Sequence, residues 1–308
     1  MDLSIANTEP FYRFLKFYEA FNRSMRVLVG GVESLRTEGR ADPASIATLT
    51  HLPTGGEPWG DTTRWRDVSK FLSEATEFIA QMGLVRVTSA FEDFLLSVDA
   101  EIQRFWHLRN PDYETVPRDG VQLETLYKQL GLATARLKRL LPLYDYFVLV
   151  RNCVAHRSGR ASQYLIEASS EPSLEASWKQ LQGASERTIP KLPEVKFNRQ
   201  IKFLPRHAIL ASELCYVIAK DVNSGLVQTL GEPGMIYMAA HHSLLADDRM
   251  ETSRFRSPEN AINYCVFGRY RIRGNAVEPI QILKGIEKWA ECRRRYTELY
   301  PPHNHRRR

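Results

Sequence analysis

Apolar side chains recur at helical spacing along most of the chain, and this repeat predicts an all-α protein. The first helix is expected over Pro10–Arg40, and a longer one follows from about Trp65 to Trp106. Gly30-Gly31 and Gly83 are weak points inside these helices, because glycine is about 1 kcal/mol less favourable than alanine in a helix interior. Residues 40–62 are rich in Pro, Gly, Thr and Ala, and this composition predicts a loop.

Prolines and glycines divide the middle of the chain into shorter helices. The predicted helices span Val121–Leu141, Pro142–His156, Ser162–Gln182 and Arg206–Leu230. Pro142 is expected at a first helical position, where its missing N–H costs nothing, and Ser158-Gly159 is the expected end of that helix. Residues 183–205 contain three prolines and two short extended runs, so we expect a loop or a small hairpin there.

Gly231-Glu232-Pro233-Gly234 is the strongest breaker in the chain and predicts a domain boundary. We therefore expect an N-terminal helix and loop over 1–62, a helical domain over 63–231 and a small basic helical module over 232–308. Short helices are expected in that module at about 235–246, 257–267 and 278–297. The sequence YRIRGN, at 270–275, could form a turn or a strand pair.

Composition and charge narrow the classes of protein. No uninterrupted apolar run reaches the length of a membrane span, and the N-terminus lacks the pattern of a secretory signal. The net charge is +6, and residues 231–308 hold 14 Lys and Arg against nine Asp and Glu. This excess suits a polyanion such as RNA, although Arg306–Arg308 supply three of the charges, and such a tail is more often a solvated end.

Cysteine usage favours a reduced, cytoplasmic compartment. The four cysteines are too scattered for a disulfide scaffold or for paired zinc ligands. Cys153 is expected to be a small residue at the edge of the core. His241-His242 is expected to be a packed or surface pair, because no further ligand stands at a recognised metal spacing. His303 and His305 lie in the basic tail.

The most informative stretch is LVRNCVAHRSG, from Leu149 to Gly159. At about 100° per residue, one helix face carries an apolar stripe, formed by Leu143, Phe147, Val150 and Val154. The opposite face carries Asp145, Leu149, Asn152 and His156. Arg151 falls between the two faces. A helix with two such faces has two packing partners, and the second could be another copy of the chain across a twofold axis.

This pattern resembles the HEPN superfamily, whose ribonucleases carry Arg, then a polar residue that is often Asn, then His after four to six intervening positions. Arg151, Asn152 and His156 fit with four residues between Arg and His. An upstream helix with the sequence AFEDFL at 90–95 resembles the partner helix of prokaryotic members. The resemblance covers about residues 65–230, and it implies a HEPN-type helical bundle.

The resemblance also implies a metal-independent RNA endonuclease without a cofactor, acting as a toxin or antiviral defence effector. Two copies would meet in a homodimer, so that one groove holds two sets of Arg151, Asn152 and His156. The residue types suit the chemistry. An imidazole can transfer protons near neutral pH, and a guanidinium offers a planar donor fork to phosphate oxygens. An antitoxin or another defence-system protein is the expected partner.

Other functions stay open from the sequence. The chain could be a non-catalytic HEPN protein that binds RNA or nucleotide or mediates assembly, or Arg151 and His156 could merely favour the end of a helix dipole. Glu92 and Asp93 could support the site, although a solvated helix face explains them better. The candidate RNA contacts are Arg157, Arg269, Arg271 and Arg273. The last three could equally lie on an exposed edge.

Overall fold

The chain folds into α-helices joined by turns and irregular segments. The computed structural model describes residues 1–41, 68–116, 119–183, 191–251 and 255–301. Within these ranges there is no β-strand, and the all-α prediction is confirmed. The α-helices in those ranges are α1 (Glu9–Ala41), α2 (Val68–Arg109), α3 (Leu123–Gln129), α4 (Thr134–Arg157), α5 (Gln163–Ser169), α6 (Pro172–Gly183), α7 (Pro205–Ala240), α8 (Pro258–Asn263), α9 (Glu278–Gly285) and α10 (Trp289–Leu299).

The residues cluster into two compact units, each built from several stretches of chain. Unit 1 comprises Met1–Lys16, Phe91–Thr134 and Val217–Arg308, and unit 2 comprises Phe17–Ala90 and Ala135–Tyr216. Each boundary falls inside a helix. The division expected from the sequence, into 1–62, 63–231 and 232–308, stays a prediction.

The two long N-terminal helices were predicted close to their observed bounds, and their glycines do not interrupt them. At Gly83 an added Cβ would lie 3.1 Å from the sulfur of Met25 and 3.2 Å from the Cβ of Ala208, so the missing side chain permits close packing in unit 2. In unit 1 the Phe14 ring contacts Phe91 and Phe94, with centroids 5.8 and 5.3 Å away. The loop expected over 40–62 lies outside the described residues from position 42 onward.

The start of the motif helix was predicted incorrectly. Helix α4 begins at Thr134, and Pro142 lies in its interior instead of at its first position. Leu137, Leu140 and Leu143 are buried on both sides of the proline, so continuous core packing offsets the hydrogen bond that proline cannot make. Gly131, with φ 64°, ends the preceding segment in the left-handed region, which splits the helix expected over Val121–Leu141.

The sequence at 231–234, which was predicted to end a helix, produces a kink, and helix continues on both sides of it. Gly231 is non-helical, with φ 59° and ψ −171°, and helix resumes directly after it. Met235, Ile236 and Met238 are fully buried in unit 1, so apolar burial continues through the predicted boundary. The helix then passes into a π-helical turn, His241–Leu245.

The remaining C-terminal elements follow the predictions in type. Helix α8 leads into a second π-helical segment, Tyr264–Arg269, and the helix expected over 278–297 is divided at Glu287, which has φ 58°. In 270–275 an isolated backbone bridge joins Arg273 to Asp2 instead of a strand pair. Residues 191–204 are non-helical, as expected. In the parts of the chain that the structure describes, no helix has the length and apolar character needed to cross a bilayer.

Candidate functional site: the end of helix α4

The last turns of α4 separate a core face from an accessible face, nearly as the sequence predicts. Leu143, Phe147 and Val150 are buried in unit 2. The fourth core residue is Cys153, which is 1% exposed, whereas the expected Val154 is only half-buried. At 100° per residue Val154 lies only about 20° around the helix from Leu143 and Cys153 about 80° on the other side, so helical geometry alone does not account for the shift. Cys153 is buried where its thiol contacts the Ser162 hydroxyl.

Asn152 and His156 lie on the accessible face and line one surface hollow of about 530 Å³ in unit 2. His156 is exposed and Asn152 half-buried. Within the described residues, neither side chain is held by a hydrogen bond to the protein. Both side chains can therefore bond to water or to a ligand.

Arg151 does not line the hollow with them. It is half-buried, and its Nε is shielded from solvent. The guanidinium that does line the hollow belongs to Arg157, an exposed residue at the last position of α4. Of the three residues predicted to form the site, the structure therefore brings two together in one copy of the chain and adds a different arginine.

A tight turn fixes the end of α4. Ser158 and Gly159 both have positive φ, 52° and 79°, and the N–H of Gly159 donates to the carbonyl of Cys153 at 2.9 Å. The bond closes a turn of seven residues, and two successive left-handed residues end the helix. The end predicted at Ser158-Gly159 is confirmed. An added Cβ at Gly159 would meet the side-chain amide of Gln200, which is flexible enough to move aside, so it is the positive φ that favours glycine there.

The segment 197–201 is held against the residues that follow α4. The N–H of Ala161 donates to the carbonyl of Arg199 at 3.0 Å, and the N–H of Ile201 donates to the carbonyl of Gly159 at 2.9 Å. Asn198 donates back to Ala161 at 3.0 Å. These main-chain bonds place Phe197 at the edge of the hollow.

A buried histidine supports the same segment from its far end. His207 is 2% exposed, its Nδ1 accepts from the N–H of Leu204 at 3.0 Å, and its Nε2 lies 2.9 Å from the carbonyl of Lys191. Burial lowers the pKa of His207, because the imidazolium would lose its hydration. The neutral ring thus ties the two ends of 191–204 together.

Two exposed aromatic rings border the hollow. Tyr164 is 73% exposed and Phe197 61% exposed, and both line it. Tyr164 lies in the first turn of α5, whose N-cap is Ser162. The Ser162 hydroxyl accepts from the N–H of Leu165 at 3.2 Å and from the Cys153 thiol at 3.6 Å. Cys153 is therefore the small core-edge residue that the sequence predicts.

The chain around the hollow is positively charged. Residues 145–167 and 194–213 contain seven Lys and Arg against four Asp and Glu, of which Asp145 lies on the Asn152–His156 face of α4. Arg157, Arg160 and Arg199 are exposed, and no described carboxylate forms an ion pair with any of them. A surface with this balance attracts polyanions over a distance of about 8 Å at physiological salt.

The proposed supporting carboxylates belong to the other unit. Glu92 and Asp93 lie in unit 1, whereas the motif lies in unit 2. Glu92 is half-buried and Asp93 exposed. Their support of the site therefore stays a prediction from the resemblance.

Three arginines near the C-terminus were predicted to contact RNA. One of them, Arg269, is instead directed into the interior of unit 1. It forms an ion pair with the buried Glu9, and its guanidinium lies 4.6 Å from the centroid of the Tyr12 ring. The sequence pattern suggested an accessible edge, but this side chain turns inward to neutralise a carboxylate that would otherwise be costly to bury. Arg271 and Arg273 are exposed.

The histidine pair His241-His242 is packed, as expected. The Nε2 of His242 lies 2.6 Å from the buried Glu101 carboxylate, which also accepts from Arg104 at 2.8 Å. Burial raises the pKa of Glu101, but the contacts with His242 and Arg104 outweigh that effect and leave the pKa lowered. Within the described residues, no cluster of His, Cys, Asp and Glu could hold a metal ion.

Sequence reasoning missed Tyr164, Phe197 and the cation-rich pairing of 157–160 with 196–199. The periodicity of α5 could have shown Tyr164 as an outward residue, since it precedes the buried Leu165. Phe197 could not be found in this way, because its position depends on hydrogen bonds between distant segments. Protein-family models, curated proteins and solved structures were each compared with the chain, and none matches it.

Proposed function

We propose that this protein is a metal-independent RNA endonuclease whose site is the hollow at the end of α4. The observation that carries the proposal is the pairing of Asn152 and His156 on an accessible, cation-rich surface. Had both side chains been buried and bonded to the backbone of their own copy, a structural role would have been favoured. Their exposure, together with the resemblance of Arg151-Asn152-x3-His156 to HEPN ribonucleases, favours catalysis.

The proposed reaction uses the nucleophile that RNA already contains. His156 transfers protons between the 2′-hydroxyl and the leaving 5′-oxygen, and Asn152, one helical turn away, orients the reacting groups by hydrogen bonding. The 2′-oxygen attacks phosphorus and the P–O5′ bond breaks, which gives a 2′,3′-cyclic phosphate and a 5′-hydroxyl. No Asp or Glu of the described residues lines the hollow, which supports a route that needs no magnesium ligands.

Two arginines have distinct places in this proposal. Arg157 lines the hollow and is the phosphate-binding cation within one copy of the chain. Arg151 lies about 100° around the helix from Asn152 and would reach the substrate only in a composite groove formed by two copies. Replacement of Arg157 by Ala should therefore weaken RNA binding in any assembly state, whereas the effect of Arg151→Ala should depend on dimer formation.

The central test is cleavage of total RNA in excess EDTA by the full chain, with end-group analysis of the products. We expect cyclic phosphate ends, and a rate loss of about 10²–10⁴-fold for His156→Ala, the usual size of a general acid–base contribution. His107→Ala is the matched control, because His107 is also an exposed histidine in the last turn of a helix. Rescue by magnesium or a 5′-phosphate product would refute the mechanism.

Dimerisation is the second part of the proposal, because one copy supplies a single motif histidine. Light scattering at micromolar concentration should give twice the mass of the chain, with both Asn152–His156 faces turned to one groove. A monomer that retains activity would contradict the composite site. RNA binding without cleavage would favour the alternative function, a non-catalytic RNA-binding or assembly protein. As a nuclease, the protein would act in the cytoplasm as a toxin or antiviral defence effector, restrained by an antitoxin or defence-system partner.

A further inference from the structure

The two aromatic rings at the hollow have no structural task that explains their exposure. Tyr164 and Phe197 are 73% and 61% exposed, and burial of such rings would normally stabilise a protein by about 1.5–3 kcal/mol each. Single exposed apolar residues are ordinary, but these two border the same hollow as Asn152 and His156. Their common location therefore calls for an explanation in terms of what the hollow binds.

Hydrogen bonds hold the backbone segments that carry both rings. Tyr164 follows Ser162, whose hydroxyl both caps α5 and accepts from Cys153 of α4. Phe197 precedes Asn198 and Arg199, which exchange main-chain hydrogen bonds with Ala161 at 3.0 Å. A ring anchored in this way loses little conformational freedom when a ligand stacks on it, which favours binding.

Charge then identifies the chemistry of the ligand. Among the described residues, the hollow is lined by Arg157 and by no Asp or Glu, and the two segments that surround it carry more cations than carboxylates. A ligand that suits such a surface has regularly spaced negative charges and flat apolar groups between them. Single-stranded nucleic acid has both, since its phosphates meet the cations and its unpaired bases stack on aromatic rings. In a duplex the bases are already stacked and hidden from side chains.

We propose that Tyr164 and Phe197 are base-stacking residues that hold unpaired nucleotides beside the scissile phosphate, so that the hollow selects single-stranded over double-stranded RNA. This inference rests on the proposed nuclease function, because it assigns the substrate class of that site. It adds two specificity-determining residues that touch the bases, whereas Asn152 and His156 act on the sugar–phosphate backbone.

The test measures binding by the non-cleaving His156→Ala protein to a fluorescein-labelled 12-nucleotide RNA, either single-stranded or annealed to its complement. Additional Tyr164→Ala or Phe197→Ala should weaken single-strand binding about five- to 150-fold, as expected for the loss of one stacked base. Phe197→Trp should retain binding, because it preserves a stacking surface. Phe78→Ala is the matched control: Phe78 is 62% exposed in the same unit but lies outside the hollow.

Three results would overturn the inference: no loss of affinity in either aromatic variant, an equal loss for single strand and duplex, or a change in oligomeric state with unchanged affinity. The last would show that the rings contact a second copy of the chain. Cleavage of the same RNAs by the protein with His156 intact, with and without each aromatic substitution, separates the two proposals. Aromatic-dependent binding by a protein that never cleaves RNA would refute the nuclease alone, and cleavage that ignores both rings would refute the stacking role alone.

Discussion

Acidification should destabilise the protein through His241, and the size of the effect follows from the structure. The His241 side chain is partly buried in unit 1, in the π-helical turn that follows α7. Burial lowers its pKa to about 4, and the neighbouring Arg104 and His242 add to the effect, while Glu101 and Asp248 act in the opposite direction.

The folded protein therefore binds fewer protons than the unfolded chain between pH 6.5, the ordinary histidine pKa, and about pH 4. Stability linked to His241 is fully present above pH 6.5 and falls as the pH is lowered through this window. At about 1.4 kcal/mol per pKa unit the full effect is at most about 3 kcal/mol. Because the ring is partly exposed, we expect about 1–2 kcal/mol between pH 7 and pH 5.

Urea unfolding followed by circular dichroism at pH 7 and pH 5 measures this effect. The His241→Gln protein cannot titrate at this position, so its stability should fall by about 1–2 kcal/mol less than that of the wild type between the two pH values. The lowered pKa of Glu101 contributes only below its ordinary range near pH 4.5, so it leaves the comparison intact. Equal pH dependence of wild type and variant would refute the reasoning.

Two further predictions concern packing and buried hydrogen bonds. Gly234→Ala should destabilise the protein by about 1–3 kcal/mol, because the new Cβ would lie 2.7 Å from the Phe105 ring. Gly30→Ala should instead stabilise the protein by about 0.5–1 kcal/mol, because Gly30 lies in the exposed interior of α1 and has no neighbour within 4 Å of an added Cβ. The two expectations are opposite in sign, so a shift of the Tm in the same direction for both variants in thermal unfolding would contradict them. Asn223→Ala should cost about 2–3 kcal/mol in a urea titration, because Asn223 accepts from both the N–H and the hydroxyl of Thr8 at 2.9 Å; an unchanged midpoint would show that water replaces the side chain.

The sequence predicted the helices best where apolar periodicity ran unbroken. The bounds of α1 and α2 were close, because their stripes extend over many turns. Errors arose at single residues whose local preference is overruled by packing. Pro142 favours a helix start, yet the buried leucines on both sides of it continue α4. Gly231 favours a boundary, yet buried apolar residues follow it.

The sequence predicts only those features of the site that depend on residues close together in the chain. Asn152 and His156 share a face because they are four residues apart, a relation that any helical sequence reveals. The position of Phe197 depends on main-chain bonds across about 40 residues of sequence, and no periodicity encodes such a pairing. Arg269 shows the same limit, because its buried partner, Glu9, stands near the other end of the chain.

The four cysteines make the protein well suited to site-specific chemistry. All four are free and buried, and burial raises the pKa of Cys215, Cys265 and Cys292, so their thiols should react slowly with maleimides and oxidants. A cysteine introduced at the exposed Asp145 would be the one readily labelled position among the described residues. That position shares the Asn152–His156 face of α4, so mild oxidation would cross-link two copies of the chain only when those faces meet. A fluorophore attached there would report the association of the two copies in real time.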